Sequence, residues 1–238
     1  MLNLSKKILM TLVLTLGMAS YSYADLVLDD FDYTPDPDID LVVDVNNISD
    51  TTQRNNINAF SGDVVYELNY IDGVANTETS AVTFTPGNMA LSNDATMKSS
   101  LLITYSEIFA PGFTPADFSS FDGFYYDLVS SDLGFSILVT VGSGTGTQTS
   151  TFGANSGVLA VVDGPTRTNV LFSSFVAGIG GGANFAAIDY VSLLLTSDLE
   201  AVDVVFSEFG VKNVPEPASL AIFGLGLIGL AFSARKKV

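Results

Sequence analysis

The 238-residue chain has no cysteine, no histidine and no tryptophan, and nine basic residues stand against 26 acidic ones, a formal net charge of −17. Without cysteine there is no disulfide framework, thiol nucleophile or thiolate metal site, so stability rests on an apolar core or on bound ions. Without histidine the Ser-His-Asp arrangement, imidazole ligation and the usual general base at neutral pH are also excluded. Carboxylate chemistry survives, such as a glycosidase pair with two acids about 5 to 10 Å apart across a cleft. With this many acids the sequence singles out no pair. The missing tryptophan removes the commonest stacking platform for sugars and leaves that role to tyrosine.

The few basic residues are concentrated at the two ends. Lys6 and Lys7 precede an apolar run from Ile8 to Ala19, and Ser22-Tyr23-Ala24 places small residues where a signal peptidase reads. Residues 1–24 therefore read as a secretory signal peptide, cut between Ala24 and Asp25. An uncleaved anchor is the weaker alternative, because so short an apolar run spans a bilayer poorly. Between the ends, residues 25–213 read as one exported domain in which 25 acids face only Arg54, Lys98, Arg167 and Lys212, a formal charge of −21. A field of that sign repels nucleic acid, anionic lipid and acidic polysaccharide unless cations bridge them, so nucleic acid is excluded as a partner.

The C-terminal segment, 214–238, has three parts: Val214-Pro215-Glu216-Pro217, an apolar run from Ala218 to Ser233, and the basic stop Arg235-Lys236-Lys237. A Pro-punctuated approach, a hydrophobic helix over 218–234 and a terminal basic cluster describe a membrane tail whose charged end stays in the cytoplasm. Sixteen apolar residues make about 24 Å of helix against a hydrocarbon core of roughly 30 Å, a marginal span suited to a temporary anchor. Gly224-x-Gly226-x-x-Gly229 also spells a dinucleotide fingerprint, but Pro217 stands where the preceding strand is needed and no later acid follows, so these glycines read as helix-packing positions. The ordered triplet resembles the PEP-CTERM sorting signal, the substrate tag of exosortases, a family of membrane-embedded cysteine proteases. The resemblance implies a secreted or surface protein of an exopolysaccharide-forming Gram-negative bacterium, with the tag recognised and cut near Pro215-Glu216-Pro217.

Between the two ends short β-rich runs alternate with turn signals: Asp25 to Phe31, Leu41 to Val45, Val64 to Tyr70, Ala81 to Thr85, Met89 to Ser92 and Leu101 to Tyr105, punctuated by Asp72-Gly73, Pro86-Gly87 and Pro111-Gly112. No stretch has helical periodicity, so the pattern predicts an all-β sandwich. Phe118–Phe124 with Ser131-Asp132-Leu133 is echoed by Phe185–Val191 with Ser197-Asp198-Leu199, which reads as one hairpin made twice. The glycine-rich stretches 142–147 and 178–182 lack a P-loop ending and read as hairpin tips. The run Val202 to Val211 resembles the last strand of carbohydrate-binding-type jelly rolls, a resemblance that implies pairing with the first strand.

That pairing would bring Asp29, Asp30 and Glu208 toward a structural Ca²⁺. Asp36, Asp38 and Asp40, at alternate positions in a Pro-rich loop, form a second oxygen-rich candidate. The plainer reading of both groups is a solvated acidic edge that discourages strand-to-strand aggregation. Alternation sends about half of the strand tyrosines inward, so a sugar site needs several that remain exposed on one face. The expectation is an exported, non-enzymatic surface or matrix protein, processed by signal peptidase and an exosortase and associated with extracellular polysaccharide. A calcium-stabilised carbohydrate-binding module and a two-carboxylate glycan hydrolase are the alternatives.

Overall fold

The computed structural model describes residues 25–32, 41–55, 63–73, 77–106, 114–153, 162–197 and 199–213. Within them run fourteen strands: β1 (Leu26–Asp29), β2 (Leu41–Val43), β3 (Ser49–Asn55), β4 (Asp63–Asp72), β5 (Ser80–Thr85), β6 (Asn88–Asn93), β7 (Lys98–Ser106), β8 (Gly123–Ser131), β9 (Ser136–Ser143), β10 (Gln148–Phe152), β11 (Val162–Leu171), β12 (Val176–Ala177), β13 (Ile188–Thr196) and β14 (Asp203–Lys212). The only helical pieces among the described residues are two 3-10 turns, Phe172–Ser174 and Ile179–Gly181. The strands form two antiparallel sheets, the all-β sandwich that the alternation predicts. Sheet A is ordered β11-β8-β14-β6-β5-β2, with β1 also on β14, and sheet B β12-β10-β9-β13-β7-β4-β3.

Alternation fixes which face each strand buries. In β7, Ser99, Leu101, Ile103 and Tyr105 point inward while Ser100, Leu102 and Thr104 point out. Val191, Leu193 and Leu195 repeat the pattern on β13, and Ile137, Val139 and Val141 on β9. From sheet A, Phe124, Tyr126, Leu128, Phe206, Phe209 and Val211 fill the facing layer. Phe124 and Phe209 stack at 5.5 Å, and Tyr105 of sheet B continues the stack onto Phe209 at 5.4 Å. The β5–β6 hairpin closes through Pro86 and Gly87, where Gly87 takes φ +74°, a conformation open to glycine at little cost.

The repeated segment is not a pair of hairpins. β8 lies in sheet A and β9 in sheet B, whereas β13 lies in sheet B and β14 in sheet A. The chain therefore crosses the sandwich between β8 and β9 and again between β13 and β14. The two arches run in opposite senses and pair with each other twice, β8 with β14 and β9 with β13. A sequence repeat thus builds the centre of both sheets. The ends of the sandwich differ in chemistry. At one end Ser80, Asn93, Ser99 and Ser197 form a buried hydrogen-bonded clasp between the sheets. At the other, Phe118, Phe172, Phe175 and Phe185 gather around Phe124.

β14 pairs with β8 along one side, and on the other with β6 through Asp203–Phe206 and with β1 through Phe209–Val211. First and last strands are neighbours, as the jelly-roll resemblance implies. The strands from β1 to β14 fall in one compact unit, residues 25–212.

Candidate functional site

The pairing of β1 with β14 does not gather Asp29, Asp30 and Glu208 around a cation. A β-bulge between Val27 and Asp29 turns both Leu28 and Asp29 into the core. There the Asp29 carboxylate accepts hydrogen bonds from the Tyr66 hydroxyl at 2.6 Å, the Tyr105 hydroxyl at 3.1 Å and the Phe31 amide at 2.8 Å. A second bulge, between Phe206 and Glu208, turns Glu208 to the outer face. Asp30 accepts the Asp32 amide in a local turn. Among the described residues no three acids come together as a metal cage. Asp36, Asp38 and Asp40 lie outside the described residues, as do Ala24, Val214, Pro215, Glu216, Pro217, Arg235, Lys236 and Lys237.

A cation does stand among acids beside Glu208, and it is a guanidinium. Arg167 of β11 forms two parallel bonds to Asp127, both 2.7 Å, and reaches Asp25 at 2.9 Å and Glu208 at 3.4 Å. Its planar group lies 3.9 Å above the Tyr125 ring, a stacking that an ammonium does not reproduce. The Tyr125 hydroxyl donates to Glu208. Burial, and then that bond, push the Tyr125 pKa far up, while the Asp127 hydrogen bonds raise that of Arg167. The sequence marks Asp25 only as the residue after the expected cleavage point. Here its carboxylate ties the residue just before β1 to Arg167 of sheet A. No local pattern marks Arg167 for this role, because its four partners come from β8, β14 and the start of β1.

Tyrosine placement decides what kind of sugar surface the domain can offer. Tyr66, Tyr105 and Tyr126 point into the core, and Tyr125 is covered by Arg167. Tyr70 is half-buried and donates to the Gly73 carbonyl. Tyr33 lies outside the described residues. Tyr190 is different, because it sits half-buried on the outer face of sheet B, opposite Gly142 and Ser106. Its ring lies across Gly142 so closely that a Cβ there would be 1.9 Å from a ring carbon. Glycine beneath an aromatic on an open sheet face leaves the ring lying flat, and Tyr190 opposite a glycine is the signal the sequence held.

Tyr190's own row runs from Gly142 through Tyr190 and Ser106 to Asp63, and the rows beyond it carry little charge for a domain of −21. One row across all seven strands reads Val176, Thr151, Thr140, Ser192, Thr104, Val65 and Gln53. The next reads Leu138, Leu194, Leu102, Glu67 and Thr51, and the one after it Ser136, Thr196, Ser100, Asn69 and Ser49. Glu67 is the single charge in these rows. Neighbouring strands lie about 4.8 Å apart, so the face is a lattice of hydroxyls with a leucine stripe. Such a lattice can donate to and accept from neutral polar groups, but it offers no pair of acids across a cleft.

Gly144–Thr147 form the turn between β9 and β10, as read from the sequence. Gly178–Gly182 do not form a hairpin tip. They make a 3-10 turn laid against β10, where the Ile179 amide bonds the Thr149 hydroxyl at 3.1 Å and Ala183 bonds Ser150 at 2.9 Å.

Residues 213–237 match the family model of the PEP-CTERM protein-sorting motif. The chain carries that sorting motif. The motif marks an exported protein with a membrane-anchoring tail and implies processing by an exosortase; the tail itself lies outside the described residues, among which no helix is long and apolar enough to cross a membrane. No curated protein sequence matches the chain. In its two-sheet arrangement the sandwich is similar to the family 11 carbohydrate-binding module of the cellulosomal cellulase Lic26A-Cel5E of Clostridium thermocellum, at 12% identity and TM-score 0.41, over 80% of this chain and 96% of that one. The Clostridium thermocellum family 11 module in complex with a beta-1,3-1,4-mixed-linked tetrasaccharide matches at 12% and 0.40, over 81% and 98%. An agarase, AgWH50C, matches at 9% and 0.39, over 62% of this chain and 22% of its own, so this chain spans about a fifth of that enzyme.

Proposed function

We propose that this is a non-enzymatic surface or extracellular-matrix protein. Signal peptidase removes residues 1–24, the C-terminal tail holds the domain 25–213 at the inner membrane for a time, and an exosortase cuts near Pro215-Glu216-Pro217 to pass it to the cell surface. The sorting motif at 213–237 carries this reading. At its destination the domain meets neutral polysaccharide through the outer face of sheet B around Tyr190. The charge distribution supports this assignment, since an acidic polymer is repelled by a domain of −21 whereas the hydroxyl lattice presents almost no charge to a neutral one. A non-catalytic role fits the surface acids Asp25, Asp127 and Glu208, which are all committed to Arg167.

The test follows the protein in cells with and without the processing protease. Loss of the tail's mass and release from the membrane are expected only when the protease is present, and replacing Pro215-Glu216-Pro217 by alanines abolishes both. Identical mass and location in the two strains rejects the processing. A glycan array on the exported domain then tests the face: neutral glycans are retained, and Tyr190→Ala with Thr140→Ala weakens retention while the melting temperature holds.

A further inference from the structure

No charged residue stands between Arg167 and Asp189, and this stretch carries the two most exposed large apolar side chains among the described residues, Val176 at 70% and Ile179 at 71%. They do not sit on a loose loop. In the same stretch Phe172 and Phe185 pack at 4.4 Å, Phe175 joins Phe185 at 5.7 Å, and Phe172 continues onto Phe124 at 5.1 Å. The glycine turn is pinned to β10 by the Thr149 and Ser150 hydroxyls. A rigid, uncharged lobe that presents aliphatic side chains on a strongly acidic domain is a contact surface for something apolar.

The chain's own path says what that is. The Phe172 amide donates to the Asp122 carbonyl at 2.9 Å, and the Asp122 amide donates to the Lys212 carbonyl at 3.0 Å. The lobe is therefore hydrogen-bonded, through one residue, to the last residue of β14. Ala218, where the apolar run begins, follows Lys212 by six positions, a reach of at most about 21 Å. While the tail is in the bilayer, this end of the sandwich stays within that distance of the membrane surface.

We propose that Val176 and Ile179 insert into the outer part of that bilayer, so that the anchored domain stands on this lobe until the tail is cut. The inference rests on the anchoring read from the tail. Zwitterionic lipid is the fitting surface, because anionic headgroups oppose the domain's charge. Release of the tail then removes the tether and leaves a contact too small to hold the domain alone.

The chain has no tryptophan, so a single introduced one reports without background. The full chain is reconstituted into zwitterionic vesicles containing brominated lipid, as Val176→Trp and, for the opposite end of the sandwich, as Ile71→Trp. Co-flotation with the vesicles reports the anchor. Emission from the tryptophan at 176 is expected to be lost to bromine while that at 71 persists, and adding Ile179→Asp to the first variant restores it. A chain that fails to float overturns the anchoring and the inference together. A chain that floats with both tryptophans bright, or both equally quenched, overturns the inference alone. So does a concentration-dependent blue shift at 176 without quenching, which identifies a second copy of the domain as the occupant.

Discussion

Replacing Asp29 by alanine tests whether the carboxylate is a structural acceptor of the core. Its side chain is 1% exposed, and Tyr66 and Tyr105 beside it are both fully buried. Truncation leaves their two hydroxyls, at 2.6 and 3.1 Å in the intact protein, and the Phe31 amide without this acceptor. Each bond to a charged acceptor lost from this buried setting costs about 1–3 kcal/mol, and a small water-accessible gap recovers part of that, so a loss of about 4 kcal/mol is expected. For a domain of this size that lowers the melting temperature by about 8–16 °C. Urea or thermal melts of the exported domain provide the assay. The decisive comparison adds Tyr66→Phe and Tyr105→Phe to the alanine variant. Removing the donors as well as the acceptor should return much of the stability, because the penalty falls on donors that have lost a charged acceptor. A cost below about 1 kcal/mol for Asp29→Ala, or a triple variant weaker than the single, refutes the assignment.

Asn93→Ala strips the clasp of the group that bridges Ser80, Ser99 and Ser197, and urea melts should show a loss of about 2–3 kcal/mol with an unchanged m-value. Burial raises the pKa of Tyr125, Tyr126 and Tyr190 above the usual value. The unfolded chain then loses protons above pH of about 10 that the folded chain keeps, so this contribution is fully present below that pH and is lost progressively as pH rises from there through the raised pKa of the folded state. Melts from pH 8 to 11 should show the decline, and Tyr125→Phe should make it shallower. Calcium titration of the melt separates the two acidic groups: Glu208→Gln should leave any calcium response unchanged, whereas neutralising Asp36, Asp38 and Asp40 together removes it, the loop being the remaining site proposed for a structural ion.

Strands whose residues alternate were legible in the sequence. β7 and β13 announce themselves because one face must be apolar. β3 did not, because Ser49–Asn55 is polar throughout; it is an edge strand paired only with β4, and Arg54 faces inward with its guanidinium over Phe84. β11 was hidden by Gly164-Pro165, which an edge strand tolerates through the register shift between Asp163 and Thr166. The Ser-Asp-Leu corners were visible as turns, but a corner that crosses between sheets and one that folds back on its own sheet bury the same apolar faces. The expected convergence of Asp29, Asp30 and Glu208 is not found for a related reason. Period-two reasoning sends Asp29 outward and Glu208 inward, and two bulges that no local residue type signals reverse both. At the outer face the useful residue was a glycine: Gly142 has no side chain of its own, and the flat ring of Tyr190 depends on that absence.

The order of strands in the chain bears on the order of events at the membrane. β14 is the last strand made, yet it lies between β8 on one side and β6 and β1 on the other. Until Asp203–Lys212 has been exported, sheet A consists of separate pieces, and the half of the core built on Phe206, Phe209 and Val211 has no backbone to stand on. The sorting motif follows this strand directly in the chain, so in the proposed export the fold is completed just before the motif arrives. Because Leu26 pairs with Val211, the segments that enter and leave the domain emerge side by side. Nothing in the pairing of β1 with β14 favours one order for the two cleavages proposed above, and in that proposal recognition of Pro215-Glu216-Pro217 is the step that sets when the protein departs.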